Sequence, residues 1–293
     1  MRRWSALLLA LCLLTGCTAA PAVDLGVVQG TPPPAAAPPA EESCYYTVDT
    51  VTWEDSAQDS DGTVLAKYRF CLPELTARRA DGTAIQEAET EVESAALAAA
   101  DVFNSQFAAW TGGEEFRELT EMARWERAWR EEEQLEWVSE FFTELDCQVY
   151  QTERMVSVAG TYYSYTGGAH PNTVLMAWNF DLESGEFFTP ELLAEESGTF
   201  SLMVQEEIVR KIHAAAKDEG MAAEEMFWNN YEEIVAGWSS YAVSFDETGM
   251  TVAFSPYELA AYAAGPQIFQ LSYEWISPYL SVHGREILGL TGK

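Results

Sequence analysis

Three histidines are the residues best suited to acid–base or metal chemistry in this 293-residue chain: His170, His213 and His283. Imidazole titrates near neutral pH and is a common metal ligand. The three are scattered, because none lies in a His-Glu-x-x-His motif and no pair has the spacing of metal ligands on a helix. The sequence also contains no Gly-x-Ser-x-Gly elbow, no phosphate-binding P-loop and no dinucleotide fingerprint. We therefore predict no catalytic residue, no metal ligand and no cofactor.

Carboxylates are the other groups that could do chemistry, and the chain has 47 Asp and Glu against 16 Lys and Arg. Two carboxylates are sufficient to hydrolyse a glycosidic bond. In a chain with so many acids, however, spacing alone does not select a pair. A hydrolase of this kind stays open as an alternative, and it predicts a concave pocket with at least two converging acids whose pKa values are perturbed.

The segment from 165 to 172 is the most specific string in the sequence and is predicted to be a shaped loop between two strands. Gly167 and Gly168 permit positive φ, and Pro171 restricts the chain again. His170 has two interpretations. It is either a base or binding anchor on an exposed loop, or a side chain that bonds the backbone of its own turn, and the glycines and proline favour the second. Loops on rigid sheets often carry recognition. If the loop binds a protein, the predicted contact residues are Tyr165, Thr166, Gly167, Gly168, Ala169, His170, Pro171 and Asn172.

The amino terminus has the pattern of a bacterial lipoprotein signal. Arg2 and Arg3 precede a short apolar run that ends in Leu14-Thr15-Gly16-Cys17. We expect residues 1–16 to be removed and Cys17 to carry lipid, so that the protein is anchored at the extracytoplasmic face of the cell membrane. A simple secretory peptide cleaved nearby is the alternative. Residues 17–43 are rich in Pro and Ala and are predicted to form an extended tether.

The net charge is strongly negative, at −31 for the whole chain. Removal of residues 1–16 takes away two arginines and no acids, which leaves 14 − 47 = −33. Such a charge repels nucleic acid and anionic membrane surfaces and favours cationic partners. Acidity that serves only solubility is the other interpretation.

Cys44, Cys71 and Cys147 remain if Cys17 carries lipid. Cys44 and Cys71 lie near the ends of two consecutive predicted strands, so we predict a disulfide between them. Three buried thiols without a disulfide are the alternative. No Cys-x-x-Cys spacing supports a zinc or redox site.

The amino-terminal half is predicted to contain a hairpin and two helices. The strands are 45–54 and 63–72, and the helices are 85–110 and 114–145. The second helix has 11 glutamates against 4 arginines between 114 and 144. Trp125 and Trp129 are one turn apart on it, which is typical of core residues, and a ligand-stacking role is the alternative.

The carboxyl-terminal half changes to strand patterns. We predict strands at 155–165 and 172–182, a helix striped by Phe200, Val204, Ile208 and Ile212, a hairpin at 241–254 and a strand at 267–273. Helices and strands are segregated by region, without a βαβ repeat. The prediction is an α+β fold with antiparallel sheets packed on helices, in two intimately associated subdomains, 44–148 and 149–293.

Several segments resemble the RsiV-like family of extracytoplasmic domains. They are the string Tyr163-Ser164-Tyr165-Thr166-Gly167-Gly168-Ala169-His170-Pro171-Asn172, the string Asn179-Phe180-Asp181-Leu182-Glu183-Ser184-Gly185, and the string Phe254-Ser255-Pro256-Tyr257-Glu258-Leu259-Ala260-Ala261-Tyr262-Ala263-Ala264-Gly265. Ser277-Pro278-Tyr279-Leu280 completes the resemblance, which covers roughly residues 150–282. Such domains occur in lysozyme-binding anti-sigma factor ectodomains and beside PdaC-type peptidoglycan deacetylases.

The resemblance implies an extracytoplasmic α+β binding module whose loops occupy the cleft of a cationic enzyme. A lipid anchor stands here in place of a membrane helix and a sigma-binding segment, and no deacetylase domain is predicted, so neither activity is implied. The leading hypothesis is a non-enzymatic, lipid-anchored module that binds lysozyme or cell-wall glycan through the loop at 165–172. The alternatives are a peptidoglycan hydrolase and a purely structural envelope lipoprotein.

Overall fold

The computed structural model describes residues 43–111, 113–137 and 139–290. The predicted signal peptide, Cys17 and almost all of the tether lie outside these residues. Residues 41–293 form one compact unit, which contains every helix and strand described below. We therefore expect this part of the chain to fold on its own. In the described part of the chain, no helix has the length and apolar character needed to cross a membrane.

Nine strands form two sheets among the described residues. The larger sheet has six strands in chain order: β1 (Cys44–Gln58), β2 (Val64–Arg79), β3 (Phe141–Gln151), β4 (Met155–Tyr165), β5 (Asn172–Asp181) and β6 (Glu186–Phe187). The smaller sheet is β7 (Ala242–Phe245), β8 (Gly249–Phe254) and β9 (Gln267–Ser272). All neighbouring strands are antiparallel except β2 and β3, which are parallel. The α+β fold with antiparallel-rich sheets is confirmed, but the parallel pair was not predicted.

The helices cover the outer faces of the two sheets. They are α1 (Glu91–Ala108), α2 (Glu114–Glu132), α3 (Ser197–Asp218), α4 (Ala223–Met226), α5 (Tyr231–Ala236), α6 (Tyr273–Ile276) and α7 (Val282–Ile287). Thr90 caps α1 by accepting a hydrogen bond from the Glu93 amide, which starts the helix six residues later than predicted. Helices α1 and α2 form the crossover between the parallel strands β2 and β3.

The predicted second helix, 114–145, is wrong in its last part. Helix α2 ends at Glu132, and the backbone of Gln134 then has a φ of 58°. From Phe141 the chain is strand β3, in which Phe141, Thr143 and Leu145 are buried in alternation. Period-two burial against the sheet overrides the helix propensity of the glutamates.

The two largest of four buried apolar clusters lie between helices and sheets. One lies between the larger sheet and α1, where Phe103 packs against Phe180 and Phe107 against Trp178. The other lies between α3 and the smaller sheet and contains the fully buried Trp238. The predicted stripe on α3 is confirmed, because Phe200, Val204, Ile208 and Ile212 are all buried.

A buried polar network joins the two sheets. The Ser157 hydroxyl on β4 donates to Asn179 Oδ1 on β5 over 2.8 Å and accepts from the Phe245 amide on β7 over 2.8 Å. Asn179 Nδ2 donates to the Val243 carbonyl at 2.8 Å. Because both side chains are almost fully buried, each of these hydrogen bonds replaces lost hydration. The network therefore fixes β5, and the loop before it, against the smaller sheet.

The predicted subdomain boundary at 148/149 lies inside β3. Strands from both sides of that boundary form the one six-stranded sheet. The described residues therefore do not separate into two halves at this position.

The predicted disulfide between Cys44 and Cys71 is wrong. Cys71 lies opposite Thr52 across the β1–β2 ladder, whereas Cys44 lies opposite Arg79. Thr52 is eight residues along β1 from Cys44, or about 27 Å at the usual strand rise. A disulfide requires Cα atoms within about 7 Å. All three cysteines of the described part are half-buried, and burial raises the pKa of the Cys147 thiol to about 12.

The interpretation of Trp125 and Trp129 as core residues is also wrong. Trp125 is 72% exposed and Trp129 is 42% exposed. Helix α2 packs on the sheet through Leu119 and Ala123, which lie about 120° around the helix from the two tryptophans.

Candidate protein-binding surface

The loop between β4 and β5 has the shape that its sequence predicts. Gly167 and Gly168 have φ values of 89° and 103°, which only glycine adopts without strain. A Cβ on Gly167 would also lie 3.3 Å from the Phe141 ring. The Tyr165 hydroxyl donates to the Gly168 carbonyl at 3.1 Å and closes the loop. The exposed loop residues are Thr166, Gly168, Ala169, His170 and Asn172.

His170 joins the loop to a second segment, the chain that follows β8. Its ring stacks on Tyr262, with centroids 3.8 Å apart and planes inclined by 20°. His170 Nδ1 lies 2.9 Å from the Pro171 carbonyl, so it donates when it carries the proton. In that tautomer Nε2 accepts from the Tyr257 hydroxyl, 3.4 Å away. His170 thus bonds the backbone of its own turn and also presents its ring at the surface.

Tyr257 has an unusual backbone. Its φ is 73°, which is uncommon for a bulky residue and costs about 1 kcal/mol or more. Its side chain is nevertheless 54% exposed, so packing of the ring into the core does not explain the strain. Trp228 Nε1 donates to the Tyr257 carbonyl at 3.0 Å, and the Trp228 amide donates to the Leu259 carbonyl at 3.1 Å. These bonds hold the backbone in its strained form.

Further bonds bring the two segments together. The Tyr262 hydroxyl donates to the Pro171 carbonyl at 2.9 Å, and the Leu175 amide on β5 donates to the Ser255 hydroxyl at 3.0 Å. Tyr257 and Tyr262 lie 5.4 Å apart between ring centroids. We call the rings of His170, Tyr257 and Tyr262 the aromatic platform. It is a rigid surface built from residues almost ninety positions apart.

A hydrolytic site has less support in the described residues. A cavity of about 360 Å³ between the two sheets includes Asp246 and Glu247 in its lining. Asp246 Oδ1 accepts from the amides of Thr248 at 2.6 Å and Gly249 at 3.1 Å, which ties this carboxylate into the β7–β8 turn.

The direction of the carboxyl pKa shifts also gives little support to a hydrolytic site. Lowered pKa values, caused mainly by hydrogen bonds from guanidinium, ammonium or backbone N–H groups, are found at Asp61, Asp81, Glu93, Glu140, Asp146 and Glu207. A general acid requires the opposite shift. Among the described residues, no group of three or more His, Cys, Asp and Glu side chains is arranged to hold a metal ion.

Part of the chain matches a known family model. Residues 187–274 match the model of the family described as "Protein of unknown function (DUF3298)". The match includes Tyr257 and Tyr262, but it begins at residue 187, after the 165–172 loop. No curated protein matches the sequence.

Two solved structures are similar in fold. A DUF3298 family member from Bacteroides fragilis is 14% identical, has a TM-score of 0.57, and the alignment covers 85% of this chain and 98% of that one. A DUF3298 family protein from Pseudomonas aeruginosa PAO1 is 11% identical, has a TM-score of 0.50, and the alignment covers 81% of this chain and 95% of that one. At these identities the similarity shows the fold, and the RsiV-like specificity stays a prediction.

Sequence reasoning placed the loop but missed its partners on the platform. Tyr257 and Tyr262 lie in the string quoted for the family resemblance, yet their types and spacing give no sign that they meet His170. No sequence pattern indicates that Trp228 supports this surface. Tertiary contacts bring these residues together, among them the hydrogen bonds from Leu175 to Ser255 and from Tyr262 to Pro171.

Proposed function

We propose that the protein is a lipid-anchored binding module of the cell envelope, and that its aromatic platform contacts a cationic protein, for which lysozyme is the first partner to test. In this proposal Cys17 carries the lipid, and residues 18–43 hold the module away from the extracytoplasmic membrane surface.

The strained backbone of the exposed Tyr257 is the observation that carries the proposal. A strained backbone persists only where the surrounding structure imposes it, and such residues cluster at functional sites. Here the strain presents an aromatic ring to solvent beside His170. Tyrosine is favoured at the centres of protein interfaces, because its ring buries a large area at low entropic cost.

The charge of the chain supports a cationic partner. A net charge of −31 produces an attractive field for a basic protein and accelerates its association. The resemblance to lysozyme-binding domains suggests which basic protein to test first. An acidic surface does not favour nucleic acid or anionic lipid.

The test is a calorimetric titration of residues 41–293 with lysozyme at low and at high salt. We expect binding at low salt that weakens as salt rises, because screening shortens the Debye length to about 10 Å at 0.1 M. His170→Ala should weaken binding by about tenfold, as for an interface anchor. His213→Ala is the matched control, since His213 is an exposed histidine on α3. Absence of binding at low salt would reject lysozyme as the partner.

Cell-wall glycan is a second candidate, because the exposed ring of His170, stacked face to face on Tyr262, offers a flat aromatic face. Titration with soluble peptidoglycan fragments tests it, and binding that Tyr262→Ala does not affect would reject the platform as the glycan site.

Two other classes have separate outcomes. Sustained release of products from purified cell wall would support the hydrolase alternative. A purely structural lipoprotein would show no binding in either titration.

Substitution of Cys17 by Ser should release the protein from the membrane fraction if Cys17 carries the anchor.

A further inference from the structure

The outward face of helix α2 carries an apolar stripe that the described residues leave uncovered. Met122 is 47% exposed, Trp125 is 72% exposed and Trp129 is 42% exposed. Spacings of three, four and seven residues place these side chains on one face of a helix. The face that buries Leu119 and Ala123 against the sheet lies about 110° around the helix from this stripe. Two exposed indoles on one helix face are unusual, because exposed apolar groups of this size commonly mark interaction sites.

Carboxylates flank the stripe. On a helix of 3.6 residues per turn, Glu118, Glu121 and Glu132 lie on the same side as the indoles. Glu133 follows directly after the helix, and all four glutamates are exposed. Among the described residues, no ion pair involves any of the four.

The helix arginines do not neutralise this face. Arg127 pairs with Asp59 at 2.7 Å and with Asp61 at 2.6 Å. Arg130 pairs with Glu126 at 2.8 Å, and both partners are largely buried. Arg117 and Arg124 lie along the flank of the helix, away from the centre of the stripe. The face therefore combines apolar rings with unneutralised negative charge.

We propose that this face is a second binding site, distinct from the aromatic platform, and that it takes a cationic amphipathic helical segment. The apolar side of such a segment covers Met122, Trp125 and Trp129. Its Lys and Arg side chains reach the flanking glutamates and lie over the indole faces in cation–π contact. Apolar contact on the helix axis with charge at its margins is the pattern of helix-in-groove and helix-on-helix recognition.

Charge decides between this occupant and others. A second copy of the chain would set the same glutamates against each other if the two faces met by two-fold symmetry, which is destabilising. An anionic lipid surface is repelled for the same reason. A cationic segment gains from both the rings and the carboxylates.

A synthetic amphipathic peptide composed of Leu and Lys is the probe, titrated against residues 41–293 by calorimetry. We expect the double variant Trp125→Ala/Trp129→Ala to weaken binding by at least about tenfold. Trp53→Ala is the matched control, because Trp53 is a 45% exposed tryptophan on β1, and it should bind as the parent does. Circular dichroism checks folding, which should persist because neither indole belongs to the buried core of the described residues.

A second comparison tests the role of charge. The triple variant Glu118→Gln/Glu121→Gln/Glu132→Gln should weaken binding and flatten its salt dependence while both indoles remain. A peptide of the same composition in scrambled, non-amphipathic order should bind at least about tenfold more weakly.

Four results would overturn the proposal: equal binding by the tryptophan double variant, equal binding of the scrambled peptide, self-association that the double variant abolishes, or binding to anionic phosphatidylglycerol vesicles that the double variant abolishes.

Discussion

Replacement of Asn179 by Ala should destabilise the protein by about 3–5 kcal/mol. The substitution removes the acceptor of the Ser157 hydroxyl and the donor to the Val243 carbonyl, both at 2.8 Å. A buried polar group left without a partner costs about 1–3 kcal/mol, and two such groups remain here. The small cavity left by the amide adds to the loss.

The assay is urea unfolding of residues 41–293, followed by tryptophan fluorescence. Ser157→Ala should cost a similar amount, since it leaves the Phe245 amide and Asn179 Oδ1 without their partner. The double variant should then cost less than the sum of the two single ones, because the side chains share one network. The control Asn172→Ala removes an exposed asparagine from the same strand and should change stability by less than about 0.5 kcal/mol.

Losses below about 0.5 kcal/mol for both buried substitutions would refute this reasoning. They would mean that the two sheets are joined by apolar contact alone. The same network fixes β5, from which the Leu175 amide reaches Ser255, so we also expect Asn179→Ala to weaken any binding that depends on the platform.

Three further predictions concern charge, backbone and thiols. The Arg79 guanidinium lowers the pKa of Glu93, so the stability that this pair contributes is present above about pH 4.5 and is lost as pH falls further. Thermal melts of Glu93→Gln should therefore show lower stability than the parent at pH 7 and a smaller loss of stability on acidification. An unchanged dependence of stability on acid pH would contradict the assignment. Gly168→Ala should destabilise the protein by about 1 kcal/mol. The cause is the φ of 103° alone, because nothing lies within 4 Å of the added Cβ, and an unchanged midpoint of urea unfolding would show that the loop relaxes. Mass spectrometry of unreduced digests should contain no peptide that links Cys44 to Cys71, and detection of that peptide would contradict the strand register.

Local patterns predicted much of the fold. The alternation of apolar residues in β5 and the four-residue stripe of α3 depend on neighbours in the sequence, so the type of these elements follows from periodicity. The Gly-Gly loop also followed from local chemistry, since positive φ at Gly167 and Gly168 requires glycine.

Features that depend on distant residues were not predictable in this way. The glutamates around Phe141 favour a helix in the sequence, and only the pairing of this segment with β2 shows that it is a strand. Trp125 and Trp129 lie one turn apart whether they face the core or solvent, and the direction is decided by where Leu119 and Ala123 pack. The meeting of His170 with Tyr257 depends on a contact between segments 87 residues apart, for which local sequence gives no signal.

Substitution of Tyr257 by Gly tests the central claim most directly. Glycine tolerates the φ of 73° without strain, so the variant should keep the stability of the parent within about 1 kcal/mol while it loses the exposed ring. Tyr45→Ala, which removes another exposed tyrosine from β1, is the control. In calorimetric titrations with lysozyme at low salt, the account predicts that Tyr257→Gly binds at least about tenfold more weakly than the parent and that the control binds equally. Binding by Tyr257→Gly as tight as that of the parent would contradict the aromatic platform as the contact surface.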